Sequence, residues 1–371
     1  MAKKRRILPF LLLYPISKVY GCVMAVRNAM FNHGIILKQR VFDIPVIVVG
    51  NISMGGSGKT PHTEYIVEAL RHDYRIGVLS RGYKRKSRGF VLAKPDSCVD
   101  DIGDEPYQIY RKFKDKGVMM AVCENRVKGI EEMRRIDPGL NLIVLDDAFQ
   151  HRYVKPTLSV VLMEYNRPAY EDRLLPYGRL REPVRALNRA DVVVVTKCPQ
   201  DMKPMECRIF NERLNLFAFQ KLLFSRYEYQ PLKPVFVEAA GRGGIIPSLS
   251  DLTTDDTILA VSGVANPRPF IRYLRHYRAK VKIKRYADHH HFSHADMDSI
   301  LEKFNEMGGK RRLLITTEKD AVRFVSNPYF PQKLKEYAYY LPIKVSFSDF
   351  NEVPLGDVLK QLLRTSNTLR R

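Results

Sequence analysis

A chain of 371 residues with 45% hydrophobic and 10% aromatic residues is long and apolar enough for two folded domains, which excludes a disordered protein. Its formal net charge of +22 predicts an acidic partner, and nucleic acid, an anionic membrane and a phosphorylated substrate all meet that description. The five cysteines, an odd number without metal-type spacing, favour reduced thiols in a cytosolic compartment over a disulfide framework.

The N-terminal segment, residues 1–40, has basic residues at positions 3–6 followed by an uncharged stretch over 7–17. This stretch is shorter than the ~20 residues that a membrane-spanning helix needs, and Pro9 and Pro15 interrupt it. We expect the segment to lie in a membrane interface, with its basic residues on anionic headgroups. A buried core helix and a signal peptide are the alternatives.

The stretch 50–61, Gly-Asn-Ile-Ser-Met-Gly-Gly-Ser-Gly-Lys-Thr-Pro, lies between a β-type apolar run and a helical pattern. This order predicts a phosphate-binding loop, in which Lys59 reaches the β- and γ-phosphates and the Thr60 hydroxyl holds Mg²⁺. Ser53 stands where the usual pattern has a glycine, but the other glycines supply the positive φ that such a loop needs. A solvated glycine turn is the alternative. The residues expected to bind nucleotide are Gly55, Gly56, Ser57, Gly58, Lys59 and Thr60.

Short apolar runs alternate with helical patterns over residues 41–221, which predicts a P-loop core with a mostly parallel sheet and helices on both faces. The predicted strands are Val46–Val49, Ile76–Leu79, Val118–Val122, Leu142–Leu145, Leu158–Leu162 and Val192–Thr196. Ligands of such sheets bind beyond the carboxyl ends of the strands, so the residues that follow each strand are the candidates for function.

Two carboxylates, Asp146 and Asp147, follow one of these strands and fit the Mg²⁺-binding role of the second nucleotide motif, although helix-capping aspartates are an alternative. The loop 80–88 follows another strand and carries five cationic side chains. Such a run is most often a solvated loop, but at this edge of the sheet it can hold an anionic substrate, with Arg81 and Tyr83 as the contact residues.

Further candidates lie at the starts of helices and in a later loop. Asp104 occupies a helix-capping position, and a carboxylate near a transferred phosphate can instead accept a hydroxyl proton. Arg126 follows a strand, and Arg181 and Glu182 lie in the loop 175–183. Arginine suits bidentate phosphate binding, so Arg126 and Arg181 are candidates for contact with an anionic substrate.

The second half of the chain begins with residues 222–256, which we interpret as an extended linker, and continues over 257–371 as a smaller α/β domain. The segment 288–294 contains four histidines. Three interpretations are compatible with it: a Zn²⁺ site, surface histidines at a helix start, and a histidine that is hydrogen-bonded to Asp288 or a neighbouring carboxylate and completes a site across an interdomain cleft.

Taken together, the motifs resemble one family, the tetraacyldisaccharide 4'-kinases of Gram-negative bacteria. The resemblance covers the chain from about Ile44 to Val322 in order. It rests on the phosphate loop, Ser-Arg-Gly-Tyr at 80–83, Gly-Asp-Glu-Pro at 103–106, Leu-Asp-Asp-Ala-Phe-Gln-His at 145–151, Leu-Pro-Tyr-Gly-Arg-Leu-Arg-Glu-Pro at 175–183, Val-Ser-Gly-Val-Ala-Asn-Pro at 261–267, Asp-His-His at 288–290 and Thr-Thr-Glu-Lys-Asp at 316–320.

The resemblance implies a kinase of lipid A biosynthesis that moves the γ-phosphate of ATP, with Mg²⁺, to the 4'-hydroxyl of a tetraacylated glucosamine disaccharide 1-phosphate. It also implies a peripheral protein on the cytoplasmic face of the inner membrane, with a two-stranded linker that lets the C-terminal end return to the first domain. Asp104 becomes the expected base, paired with His289, while Lys59, Thr60, Asp146 and Asp147 serve the phosphates and the metal. The resemblance further implies that Arg126, Arg181 and Glu182 support substrate binding.

Two other classes of protein compete with the kinase. A P-loop ATPase or GTPase switch would need no glycolipid, and a nucleic-acid-binding module would account for the charge. The usual nucleic-acid recognition signatures are missing from the sequence, so we expect no nucleic-acid partner. We also expect no obligate protein partner.

Overall fold

The computed structural model describes residues 4–34, 36–240, 246–348, 350–351 and 353–368. The strands formed by these residues are β1 (Val46–Asn51), β2 (Ile76–Ser80), β3 (Val91–Leu92), β4 (Met119–Val122), β5 (Leu142–Asp146), β6 (Leu158–Glu164), β7 (Val192–Thr196), β8 (Lys221–Tyr229), β9 (Lys233–Pro234), β10 (Thr257–Ser262), β11 (Lys280–Arg285), β12 (Arg312–Thr317), β13 (Ala338–Leu341) and β14 (Ile343–Phe347).

The α-helices among the described residues alternate with these strands. They are α1 (Lys4–His33), α2 (Lys59–Leu70), α3 (Val99–Ile102), α4 (Asp104–Phe113), α5 (Arg126–Ile136), α6 (Pro204–Leu214), α7 (Val237–Ala240), α8 (Arg268–Leu274), α9 (His294–Asn305), α10 (Glu318–Val325) and α11 (Leu355–Thr368).

Nine strands form the first sheet, in the order β14-β8-β7-β6-β1-β5-β2-β4-β3. Its central strands are parallel, and only the outer pairs β14–β8 and β3–β4 are antiparallel. Strands β1, β2, β5 and β7 are buried along their whole length, because apolar clusters cover both faces of the sheet. The predicted mostly parallel P-loop-type sheet is therefore confirmed.

The second sheet is smaller, with the order β11-β10-β12-β13-β9. Its strands are parallel except for β9, which runs antiparallel to β13. Two apolar clusters enclose it in the same way, so this part of the chain has a core of its own. The expected second, smaller α/β unit is present.

An antiparallel ribbon of β8 and β14 joins the two sheets, with Ser225–Tyr229 opposite Ile343–Phe347. The backbone N–H of Gln230 donates to the carbonyl of Pro342 at 2.9 Å, so the chain leaves the first sheet and returns to it at one place. Helix α11 then packs beside α2. The prediction of an extended linker over 222–256 was wrong for residues 222–229, which form β8 within the first sheet, and its residues 241–245 lie outside the described part of the chain.

The N-terminal helix α1 runs continuously through Pro9 and Pro15. One side of it packs on the first domain: the Ser17 hydroxyl donates to the Leu174 carbonyl, and Phe31 is buried. The opposite side exposes apolar residues at helical spacing, Ile16, Val19, Val23 and Val26. Within the described residues, every helix is too short or too polar to span a bilayer. The membrane-interface location of this segment stays a prediction, as do the residue bounds of the domains.

Candidate active site

The phosphate loop connects β1 to α2 at the carboxyl edge of the first sheet. Gly55 and Gly58 have positive φ angles of 119° and 86°, as the sequence predicts. Gly56 does not have a positive φ, so the expectation that it contributes this freedom was wrong. The backbone N–H of Met54 donates to the Arg179 carbonyl at 2.7 Å, which ties the loop to the neighbouring segment. The N-terminus of α2 therefore opens directly from the loop, where it favours an anion.

Lys59 and Thr60 begin α2 and are both largely buried. The Lys59 ammonium lies 3.6 Å from Oδ1 of Asp147, whose backbone has a left-handed φ of 47°. Among the described residues, this buried Oδ1 has no hydrogen-bond partner. Arg181 approaches the same oxygen at 3.9 Å. A buried carboxylate oxygen without a hydrogen bond, beside the phosphate-loop lysine, fits the coordination of a cation.

Asp146 differs from its neighbour because it is fully enclosed at the end of β5. Its carboxylate accepts hydrogen bonds from the hydroxyl of Thr63 at 2.8 Å and from that of Ser80 at 3.4 Å. Burial, reinforced by the negative charges of Glu105 and Asp147, raises the pKa of Asp146 to about 7. A cation in this position would favour the ionised carboxylate.

The predicted Mg²⁺ ligands are therefore compatible with that ion. Thr60, Asp146 and Asp147 supply only hard oxygen atoms, and Mg²⁺ prefers such ligands while taking others from phosphates and water. Within the described residues, no group of three or more histidine, cysteine, aspartate and glutamate side chains is arranged to hold a metal by itself.

Asp104 and His289 meet across the cleft between the two domains. His289 Nδ1 lies 2.9 Å from Asp104 Oδ2, and its backbone has a left-handed φ of 56°. Burial alone would raise the pKa of Asp104, but the His289 hydrogen bond and the charges of Lys319 and Arg323 outweigh it and lower that pKa. Asp104 is consequently an ionised carboxylate at neutral pH. It is the first residue of α4, so its role is more than that of a helix cap.

The other histidines of 288–294 have separate partners. His290 lies 3.0 Å from Asp296, and His294 lies 2.7 Å from Asp298. His289 thus reaches the cleft, as the third interpretation expected, but its hydrogen-bonded carboxylate is Asp104 of the first domain and not Asp288, which lies 3.8 Å from Nε2.

The predicted substrate-binding residues lie in different surroundings. Tyr83 is exposed and packs its ring edge to face against His289 at 5.5 Å, and Arg81 is exposed on the same loop. Arg126 is buried and donates to the carbonyls of Cys123 and Glu124. Burial lowers the pKa of Arg126 to about 10, against the opposing charges of Asp146 and Asp147. Its Nε has no partner among the described residues.

Glu182 was predicted to contact substrate, and the structure corrects this. Its side chain is fully buried, and its oxygens accept hydrogen bonds from Arg189 at 2.9 Å, Asn28 at 3.1 Å and Gln150 at 3.2 Å. A carboxylate with this set of donors holds α1 and two loops together. Arg181, its neighbour, is the member of the pair that reaches the site.

Three cations of the site escaped sequence reasoning. Lys197, after β7, has a left-handed φ of 59° and donates to the Gly56 carbonyl and to Glu164, which braces the phosphate loop. Lys319 and Arg323 on α10 contact the Asp104–His289 pair. The available signals were the position of Lys197 at the end of a strand and the Thr-Thr-Glu-Lys-Asp motif, which carried no assigned role.

A glycine loop with Lys-Thr at the edge of a mostly parallel sheet, two aspartates after a neighbouring strand, and a carboxylate–histidine pair across a cleft define a nucleotide-dependent phosphotransferase of the P-loop class. The family model of tetraacyldisaccharide-1-P 4'-kinase (LpxK) matches residues 9–364. The chain belongs to this family.

Individual relatives agree with the family match. The tetraacyldisaccharide 4'-kinase of Bacteroides thetaiotaomicron is 47% identical, with 95% of this chain and 94% of that protein covered. The protein of the same name from Phocaeicola vulgatus is also 47% identical, with 96% of each covered. A crystal structure of LpxK from Aquifex aeolicus in complex with ATP matches with a TM-score of 0.71 and 26% identity, covering 97% of this chain and 99% of that one.

Proposed function

We propose that the protein transfers the γ-phosphate of ATP to the 4'-hydroxyl of a tetraacylated glucosamine disaccharide 1-phosphate. The family and the named relatives support the reaction, and the ATP-bound relative supports the nucleotide. The observation that carries the proposal is the pairing of Asp104 with His289 in a protein that also has the phosphate loop. An acceptor hydroxyl needs such a proton acceptor, whereas a nucleotide switch does not.

The phosphate loop and the start of α2 bind the triphosphate. Backbone N–H groups from Gly55 to Thr60 surround the phosphates, and Lys59 neutralises the β- and γ-oxygens. Mg²⁺, held by Thr60 and the aspartates 146–147, supplies further charge neutralisation on the phosphate oxygens when it is bound. Phosphoryl transfer depends more on such positioning than on covalent chemistry by the protein.

Asp104 accepts the proton of the acceptor hydroxyl as the new bond forms. Its lowered pKa makes it a weak base, which suits a loose transition state where the proton leaves late. His289 orients this carboxylate through the hydrogen bond at 2.9 Å. Because the two residues belong to different domains, catalysis depends on how closely the domains approach each other.

The glycolipid and the membrane surface account for the cationic charge and for α1. The exposed apolar side of α1 suits the acyl boundary of a bilayer, and the net charge of +22 favours anionic lipid. We therefore place the protein peripherally on the cytoplasmic face of the inner membrane, where ATP and lipid substrate are both accessible. Arg81, Tyr83, Arg126 and Arg181 are the candidates for contact with the phosphorylated sugar.

A thin-layer assay with γ-labelled ATP and the tetraacyldisaccharide 1-phosphate in detergent micelles tests the proposal. Label on the lipid is expected from the wild type, and Asp104→Asn or His289→Gln should lower turnover by about 10²-fold or more while nucleotide still binds. His294→Gln is the matched control, because His294 is an exposed histidine whose carboxylate partner is Asp298 and not Asp104. Label released only as free phosphate would refute the kinase and favour the nucleotide switch.

A further inference from the structure

The motif Thr-Thr-Glu-Lys-Asp at 316–320 has no role in the reaction as described so far. It forms the junction between β12 and α10, where the Thr317 side chain caps the helix by accepting a hydrogen bond from the backbone N–H of Asp320. Asp320 is fully buried, and its carboxylate accepts from the Gly263 N–H at 2.9 Å and from Arg323 at 2.7 Å. The junction therefore fixes the side chain of Arg323 within the second domain.

Arg323 then bridges the cleft. One terminal nitrogen donates to Asp320 and to the Gly263 carbonyl at 3.0 Å, and the other donates to Asp104 Oδ2 at 2.5 Å. The side chain is only 8% exposed, so both ends of the guanidinium are enclosed. A planar guanidinium held at three acceptors has little freedom, and the Asp104 carboxylate that it contacts is fixed in turn.

Lys319 fixes His289 in the way that Arg323 fixes Asp104. Its ammonium lies 3.0 Å from His289 Nε2 and 3.0 Å from Glu105. An ammonium has only donors, so Nε2 must accept, and the ring proton must lie on Nδ1, which then donates to Asp104. The contact with Lys319 thus selects the tautomer that binds Asp104.

These contacts leave hydrogen-bonding capacity on Asp104 for the acceptor hydroxyl. The donors from the second domain converge on Oδ2 of Asp104, whereas Oδ1 accepts from the backbone N–H of Glu105 at 2.9 Å. An ionised carboxylate has about four lone-pair sites, so Oδ1 retains capacity for the acceptor hydroxyl.

We propose that Lys319 and Arg323 are positioning residues for phosphoryl transfer, which hold His289 as the Nδ1–H tautomer and the Asp104 carboxylate in one orientation. This assignment rests on the proposed kinase function. Neither residue needs to touch substrate, because both act through the Asp104–His289 pair. Their loss is expected to lower kcat and to leave the nucleotide affinity unchanged, since the phosphate loop belongs to the other domain.

A double-mutant cycle in the labelled-lipid assay tests the role of Arg323. Arg323→Met should lower kcat by about 30-fold or more with the KM for ATP within about threefold, and Arg323→Lys should recover part of the loss, because lysine cannot bridge both carboxylates equally well. In the Asp104→Ala background, Arg323→Met should have no further effect. Lys310→Met, an exposed cation far from these contacts, should match the wild type.

A full additional loss in the Asp104→Ala background would overturn the assignment, since Arg323 would then act independently of Asp104. An unchanged kcat for Arg323→Met with active wild type would overturn it as well.

The tautomer provides a readout that needs no turnover. In a ¹⁵N-histidine-labelled wild type, with the His289 signals identified from a His289→Gln sample, two-bond spectra should show a proton on Nδ1 and an unprotonated Nε2 at neutral pH. The charged and titratable groups around the ring are Asp104, Glu105, Lys319, Arg323, Asp288 and Tyr83. A proton on Nε2 would overturn the role of Lys319, even in a chain that labels no lipid, so this result is separate from failure of the proposed function.

Discussion

Replacing Gly58 by alanine tests the geometry of the phosphate loop. A side chain at this left-handed position costs roughly 1–2 kcal/mol. The added Cβ would also lie 1.8 Å from the hydroxyl oxygen of Tyr227, an atom that is itself buried, and such overpacking typically costs ~1–3 kcal/mol. The free energy of unfolding of the first domain should therefore fall by about 3 kcal/mol, which corresponds to a melting temperature about 8 °C lower.

Two companion substitutions separate strain from clash. Gly55→Ala introduces a side chain at a positive φ with nothing within 4 Å, so it should show the strain alone. Gly56→Ala has neither a positive φ nor a neighbour within 4 Å and should melt within about 1 °C of the wild type. Thermal denaturation of the nucleotide-free protein, followed by near-ultraviolet circular dichroism, measures all three.

Combining Gly58→Ala with Tyr227→Phe tests whether the clash with the Tyr227 hydroxyl causes the loss of stability. Among the described residues, the Tyr227 hydroxyl has no hydrogen-bond partner, so its removal alone should cost little. In the double variant with Gly58→Ala, the nearest ring carbon lies 3.1 Å from the added Cβ, and about half of the lost stability should return. A double variant no more stable than Gly58→Ala, or a Gly56→Ala variant as unstable as Gly58→Ala, would refute this reasoning.

Two further predictions concern the metal and the membrane. Burial raises the pKa of Asp146 to about 7, so this carboxylate becomes protonated as the pH falls through that value. Because the ionised carboxylate is the form that holds Mg²⁺, the Mg²⁺-dependent affinity for an ATP analogue should fall by about tenfold per pH unit below pH 7. Asp146→Asn should bind weakly at every pH in the same calorimetric titration, and a flat wild-type profile would contradict the assignment. Val19→Asp with Val23→Asp should greatly reduce flotation with anionic vesicles while the melting temperature stays unchanged, because both side chains are exposed. Ile136→Asp, an exposed apolar residue elsewhere, is the control, and equal loss of flotation in it would count against a specific role for α1.

The central strands of the first sheet were predictable because their local pattern and their burial agree. Runs such as Leu142–Leu145 and Val192–Thr196 are continuously apolar, as strands covered on both faces require. The ribbon of β8 and β14 was expected only from the family resemblance, as a two-stranded linker, since its residues alternate in polarity and its pairing joins segments more than a hundred residues apart. Local pattern carries no information about such a partner.

The site residues likewise include some that local sequence predicts and others that depend on distant parts of the chain. The positions of Lys59, Thr60 and the aspartates 146–147 could be predicted because their motifs are local: a glycine loop that leads from β1 into α2, and two aspartates at the carboxyl end of β5. The pairing of Asp104 with His289 came from family resemblance alone. The enclosure of Glu182 depends on Asn28 of α1 and on Gln150, far away in the chain, so its neighbours in sequence could not show that it holds elements together.

The return of the chain after the second sheet has a consequence for how the protein is made. Helix α11 lies at the end of the described chain, and its Leu355, Leu359 and Leu363 complete the apolar cluster that covers Ile66 and Leu70 of α2. On the ribosome, the earlier strands emerge first, yet the side of α2 that packs against α11 stays uncovered until the second sheet and α11 have been synthesised. The helix that follows the phosphate loop is thus made early in translation and acquires this cover only after the second domain has been made.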